Sequence, residues 1–135
     1  MKIAVLINTY RRPDGAMLTI LPRTLASVFA QTHQDFHVFL FGDRYDPDQE
    51  LRQIAGAFPS DKIYLENLPV AAERDAGYRG EALWCSGGVA TANYGIDVVL
   101  AQGYDYVAKL DHDDYWTVNH LAEINTAIEQ FQADF

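Results

Sequence analysis

The sequence predicts an α/β fold, a mostly parallel sheet with helices on both faces. Three observations lead there. Apolar runs of strand length recur at residues 2–7, 36–41, 62–65 and 104–110. Segments with apolar residues at helical spacing separate them. The first two runs are apolar nearly throughout, as strands covered on both faces are. The order β-α-β-α-β-loop-α-β-α then implies parallel crossovers.

Each element has its own warrant. Residues 2–7 open the fold as a buried strand. Residues 9–15 are polar and broken by Pro13 and Gly15, so they form a loop. Over 16–31, Ile20, Leu21, Leu25, Val28 and Phe29 recur at helical spacing. Pro22 is tolerated in a first turn, so the main helix is expected to start near Leu21. The second strand, 36–41, ends at Gly42-Asp43. A short helix over 48–57 carries Leu51 and Ile54, and 62–65 is the third strand. Residues 67–86 read as one long polar loop, a length usually functional in a compact domain. Residues 88–102 form a helix with Val89, Ala92, Ile96, Val99 and Leu100 on one face, stopped at Gly103. The fourth strand, 104–110, runs into Asp111-His112-Asp113-Asp114. Thr117 is placed to cap a last helix over 118–131.

A chain of 135 residues is one domain's worth, so 1–135 is expected to be a single domain with no second one. Apolar residues make up 49%, which excludes a disordered chain. Ten Lys and Arg against nineteen Asp and Glu leave a net charge of −9. That balance argues against nucleic acid or an anionic membrane as partner. It leaves nucleotides open, because a divalent cation reconciles carboxylates with phosphates. The first apolar run is far shorter than the ~20 residues of a membrane span, and no signal-peptide pattern follows it. Cys85 is the single cysteine, so no internal disulfide forms. A soluble protein of a reducing compartment, the cytoplasm, is the expectation.

The acidic cluster follows the fourth strand, at the sheet edge where open α/β folds place ligands. Three carboxylates in four residues repel one another unless something positive lies between them. A hard cation, Mn²⁺ or Mg²⁺, meets that need through oxygen ligands. Asp111 and Asp113 share one side of an extended backbone, so both can reach one ligand complex. The plain alternative is a solvated acidic turn with Asp114 capping the next helix. Alternation turns His112 away from the metal, as a structural or surface histidine. Trp84 either stacks on a base or closes over the core. Cys85 has no histidine placed beside it and reads as a small buried hydrophobe.

Four stretches carry a resemblance. They are residues 4–13 (AVLINTYRRP), 25–36 (LASVFAQTHQDF), 91–96 (TANYGI) with 101–106 (AQGYDY), and 109–116 (KLDHDDYW). In this order they resemble the donor-binding, N-terminal half of the inverting family-two glycosyltransferases, whose Rossmann-like fold is termed GT-A. The likeness implies transfer of a sugar, hexosyl-type, from a nucleotide diphosphate sugar, with UDP the expected nucleotide. The acceptor is a hydroxyl of a sugar, lipid or protein. It implies Thr9 beside the base and ribose, Asp43 on the base, and Asn93 supporting the donor pocket. Asp111 would touch the donor's ribose or sugar. Asp113, with Asp111, would hold the metal of the Asp-x-Asp motif. Asp114 is the candidate acceptor base by proximity.

Departures mark this chain. The family's Asp-Asp pair after the second strand is here Gly42-Asp43. Its Ala-Arg-Asn on the helix is here Thr91-Ala92-Asn93. Arg79 or Arg74, in the long loop, could supply the missing arginine. The family's catalytic carboxylate lies well downstream of the Asp-x-Asp, whereas this chain stops one helix after it. Either a longer parent, or a partner such as a second copy, is expected to complete the site. The rival readings are a non-catalytic nucleotide-sugar or metal-binding module and, lower, a sugar-phosphate nucleotidyltransferase. The latter normally has a glycine-rich loop after the first strand, and here that loop carries only Gly15.

Overall fold

The computed structural model describes residues 2–131. The ends of the expected domain, residues 1 and 132–135, lie outside the described residues. Four strands make one parallel sheet: β1 (Ile3–Thr9), β2 (Phe36–Asp43), β3 (Ile63–Leu68) and β4 (Tyr106–Lys109). The order is β3-β2-β1-β4. Ile7 pairs with Leu40, and Leu6 with Lys109.

Among the described residues, six α-helices accompany the sheet: α1 (Met17–Phe29), α2 (Asp48–Ala55), α3 (Ala72–Asp75), α4 (Gly80–Ser86), α5 (Val89–Ala101) and α6 (His120–Phe131). Alternation along the strands divides the core in two. Ile3, Val5 and Ile7 of β1 and Val38 and Leu40 of β2 meet Leu21, Leu25, Leu51 and Leu121 from α1, α2 and α6. Ala4, Leu6, Phe39 and Phe41 form the opposite face, against Val99 of α5. Both faces are covered, as the apolar runs require.

Several elements differ from expectation. Helix α6 begins at His120 rather than 118, and the His120 N–H donates to the Thr117 carbonyl (3.1 Å), so Thr117 stands before the cap position. Helix α1 starts at Met17, one turn before Leu21, so Pro22 lies inside it. An Asp14 Oδ1 contact to the Ala16 N–H (3.0 Å) and a bond from the Ile20 N–H to the Ala16 carbonyl (3.0 Å) build that turn. Met17 buries fully within it, which offsets the bond Pro22 cannot donate. The loop 67–86 is not structureless. Its start belongs to β3, and α3 and α4 fill the rest. Strand β4 is shorter than 104–110. Among the described residues no helix is long and apolar enough to cross a membrane.

The Gly42 departure has a steric cause. A Cβ there would fall 2.2 Å from Asn67 Oδ1. The Asn67 amide is committed to the turn after β2. It accepts from the Tyr45 N–H and donates to the Tyr45 carbonyl, both at 2.8 Å. An aspartate at 42 has no room beside it.

Candidate functional site

The carboxyl ends of the strands open on a cleft of about 430 Å³, the usual ligand edge of such sheets. Asn8 and Thr9 enter from β1 with Tyr10 just after it, Asp43 from β2, and Asp111, His112 and Asp113 from the turn after β4. Arg74 of α3 and residues from Gly80 to Gly88 complete the wall.

The acidic turn is held by its backbone. Leu110 donates to the Leu6 carbonyl (3.0 Å), extending the β4 register. From α1, Thr24 Oγ1 donates to the His112 carbonyl (2.9 Å) and Arg23 Nη2 to the Asp113 carbonyl (2.8 Å). These bonds fix the turn and spend none of its carboxylates. Asp111 meets Lys109 Nζ at 2.6 Å. Both are exposed, so the pair is worth at most about 1 kcal/mol and gives way readily to a stronger ligand. Among the described residues, no group of three or more His, Cys, Asp or Glu could hold a metal by itself. Two exposed carboxylates on one cleft form an incomplete hard-oxygen set. Such a set fits a cation that takes its remaining ligands from phosphate and water.

Thr9 is buried, and its Oγ1 lies 2.9 Å from His112 Nδ1. The imidazole also packs on Tyr10, with ring centroids 5.2 Å apart. His112 is thus held by Thr9 and Tyr10, yet it lines the cleft beside Asp111 and Asp113, where alternation was expected to turn it away. Burial holds its pKa below the ordinary value, against the upward pull of Asp113 and Asp111. Burial likewise lowers His37 on β2. An unfolded histidine titrates near ~6.5 and takes up protons first as pH falls. Stability is therefore full above about pH 6.5 and declines as pH falls through the lower folded values. The urea midpoint is expected to drop between about pH 7.5 and 5.5, and to drop less in a His37→Gln, His112→Gln variant. Equal midpoints at both pH values would refute this.

Asp43 is the buried carboxylate of the site. Its Oδ1 accepts from Thr91 Oγ1 (2.8 Å), and its Oδ2 pairs with Arg74 Nη2 (3.2 Å). Arg74 also donates to the Asp43 carbonyl and lies 4.9 Å from the Tyr10 ring centre. Helix α3 is too short to hold itself, and charged contacts secure it. Asp75 pairs with Arg44 at 2.5 Å. The Glu73 carboxylate accepts from the Gly88 and Ala90 N–H groups at the start of α5 (3.3 and 2.7 Å). The positive end of that helix is thereby used by the chain's own carboxylate. Gly88 has φ +80°, which suits glycine, and its carbonyl accepts from Asn8 Nδ2 at 3.3 Å.

The structure brings Thr9, Asp43, Asp111 and Asp113 together. It does not bring Asn93, Arg79 or Asp114 to the cleft wall. Asn93 is exposed on α5, and Thr91, two residues earlier, reaches Asp43 instead. Arg79 donates to the Arg74 and Tyr78 carbonyls (3.1 and 2.6 Å), and Arg74 takes the cleft position. Asp114 is exposed beyond the turn. Trp84 does not close over the core. It stands 86% exposed on the cleft rim. Cys85 is free and exposed, not buried as expected. Sequence reasoning missed Glu73 and Tyr10. The one available signal for Glu73 was its place beside Arg74 in a loop already marked as functional.

No family profile matches the chain. It is 34% identical over 131 residues to the uncharacterized glycosyltransferase R139 of Acanthamoeba polyphaga mimivirus, covering 97% of this chain and 52% of that protein. It is 35% identical over 133 residues to the succinoglycan biosynthesis protein ExoW of Rhizobium meliloti, covering 98% of this chain and 36% of that protein. The chain thus spans about half of the first relative and about a third of the second. Among solved structures, residues 1–349 of TarS from S. aureus superpose with a TM-score of 0.70 at 19% identity, covering 99% of this chain and 34% of that one. A mannosyltransferase from Pyrobaculum calidifontis, in complex with GDP-Man and Mn²⁺, superposes at 0.62 and 15% identity, covering 94% and 32%. At those identities the structures establish the fold. By sequence relationship and by fold together, the chain is a GT-A-like glycosyltransferase homologue that spans part of its relatives' length.

Proposed function

We propose that this domain binds a nucleotide diphosphate sugar, with UDP as the nucleotide, and presents it for transfer to an acceptor hydroxyl. The observation that carries the reading is the convergence of Thr9, Asp43, Arg74, Asp111 and Asp113 on one cleft. The TarS fold has also been seen with UDP bound, which supports the choice of nucleotide. Asp43 keeps unused lone pairs beside its two partners and can accept an imide N–H of the base. Thr9 lines the base and ribose side. Arg74 is the single Lys or Arg on the described cleft wall, placed to meet a diphosphate charge. Asp111 and Asp113 would hold Mn²⁺ or Mg²⁺. A divalent ion held there supplies Lewis-acid neutralisation of the departing diphosphate. The acceptor hydroxyl attacks the anomeric carbon opposite the leaving group, with inversion.

Asp114 stands off the cleft wall, so the acceptor's proton passes to a group brought by a longer parent or a partner. The acidic charge and the single free thiol suit a cytoplasmic setting.

Calorimetry with UDP and GDP, with and without Mn²⁺, tests the reading. One diphosphate is expected to bind only with the metal, and Asp113→Ala to weaken it by at least about tenfold. A folded chain that binds neither diphosphate in the presence of Mn²⁺ would overturn it.

A further inference from the structure

We infer that Trp84 is the stacking platform for a saccharide ring of the acceptor. The inference rests on the proposed donor site and adds the acceptor side to it. Besides the His112 imidazole, two aromatic side chains line the cleft, Tyr10 and Trp84. Tyr10 is engaged by the Arg74 guanidinium at 4.9 Å and by the His112 ring at 5.2 Å. Trp84 has no ring or cation partner among the described residues and is 86% exposed. An indole left that bare on the rim of a functional cleft is unusual, because tryptophan is normally well buried.

The chemistry around it selects the occupant. The hydrogen-bonding groups that would read a base and ribose lie at the β1 and β2 ends, in Thr9, Asp43, Thr91 and Arg74. The carboxylates suited to a metal–diphosphate lie after β4. The rim around Trp84 is different: Gly80, Leu83, Gly87 and Gly88 present no polar side chain. A base stacks on an aromatic ring as readily as a sugar does, but the groups placed to read a base edge lie at the β1 and β2 ends. That leaves Trp84 to a ring of the acceptor, and a pyranose offers a face of C–H bonds for it.

The chain has two tryptophans, Trp84 and Trp116. In a Trp116→Phe background, emission reports Trp84 alone. Lactose, cellobiose or chitobiose at millimolar concentration is expected to shift that emission. Trp84→Ala is expected to weaken binding of the responding disaccharide by about tenfold and to leave the UDP–Mn²⁺ affinity unchanged. Trp84→Phe should retain most of the binding. An emission that answers to none of the three disaccharides overturns the inference. So does a Trp84→Ala variant whose UDP affinity falls as far as its disaccharide affinity, since Trp84 would then serve the base. Loss of UDP–Mn²⁺ binding in the parent chain would instead strike the donor reading, and the disaccharide response is read separately from it.

Discussion

Asp43→Ala is expected to destabilise the chain by about 3 kcal/mol and to abolish nucleotide binding together with it. The stability loss follows from burial. The Asp43 side chain is 4% exposed and its Arg74 partner 24%. Removing one member of such a pair leaves the other charge in a site that water reaches poorly, at roughly 3–5 kcal/mol. Partial exposure of Arg74 places the cost at the low end. The orphaned Thr91 hydroxyl adds to it. The double variant Asp43→Asn, Arg74→Met separates the two losses. It removes both charges and keeps the volume, so most of the urea midpoint should return. Nucleotide binding should not return, because Met offers the diphosphate no charge and a neutral asparagine is a weaker acceptor for the base N–H. Calorimetry and urea titration on the same samples check both halves. A single Asp43→Ala variant within about 0.5 kcal/mol of the parent would show that the pair is solvated. A double variant that binds UDP normally would remove both residues from the site.

The sequence carried the sheet and its order of elements because both rest on local pattern. Residues 3–7 and 36–41 are apolar at every core-facing position but His37, which packs on Tyr104. The acidic turn was legible for the same reason: Asp111 and Asp113 are neighbours in sequence, and the end of a strand fixes which edge they occupy. What escaped was set by contacts distant along the chain. Pro22 marks a first turn by local rule, yet Met17 buries one turn earlier and extends the helix past it. The choice between Arg74 and Arg79 cannot be made from composition. It depends on α3, a single turn held by Glu73 and Asp75 against α5 and Arg44. Thr91 and Asn93 differ by two residues on one helix, so they point to different sides. The family pattern favoured Asn93, and the side of α5 that meets Asp43 belongs to Thr91.

That same side of α5 makes Gly95→Leu the substitution expected to do most damage. Gly95 is one turn after Thr91, on the face that meets the sheet. A Cβ there would stand 2.7 Å from Leu6 Cδ1 and 2.9 Å from the Phe41 ring. Neither neighbour has room to retreat. Both are fully buried, and Phe41 is braced by the Tyr94 and Tyr64 rings at 5.8 Å. Two effects compete in Gly95→Ala. Helix propensity gains about 1 kcal/mol, and overpacking costs about 1–3. Overpacking wins, with a net loss near ~1 kcal/mol. Leucine adds three more carbons and little further propensity, so its loss should exceed about 3 kcal/mol. The helix can relieve the clash only by lifting from the sheet, and lifting draws Thr91 away from Asp43. Nucleotide affinity is therefore expected to fall with stability in this series, although Gly95 is not on the cleft wall. Asn93→Ala, exposed on the same helix, is the control and should leave the urea midpoint within about 0.5 kcal/mol. A Gly95→Leu chain with the parent's midpoint would mean that α5 does not sit against β1 and β2 at this distance. Thr91 would then lose its place at Asp43, because the same close approach sets both.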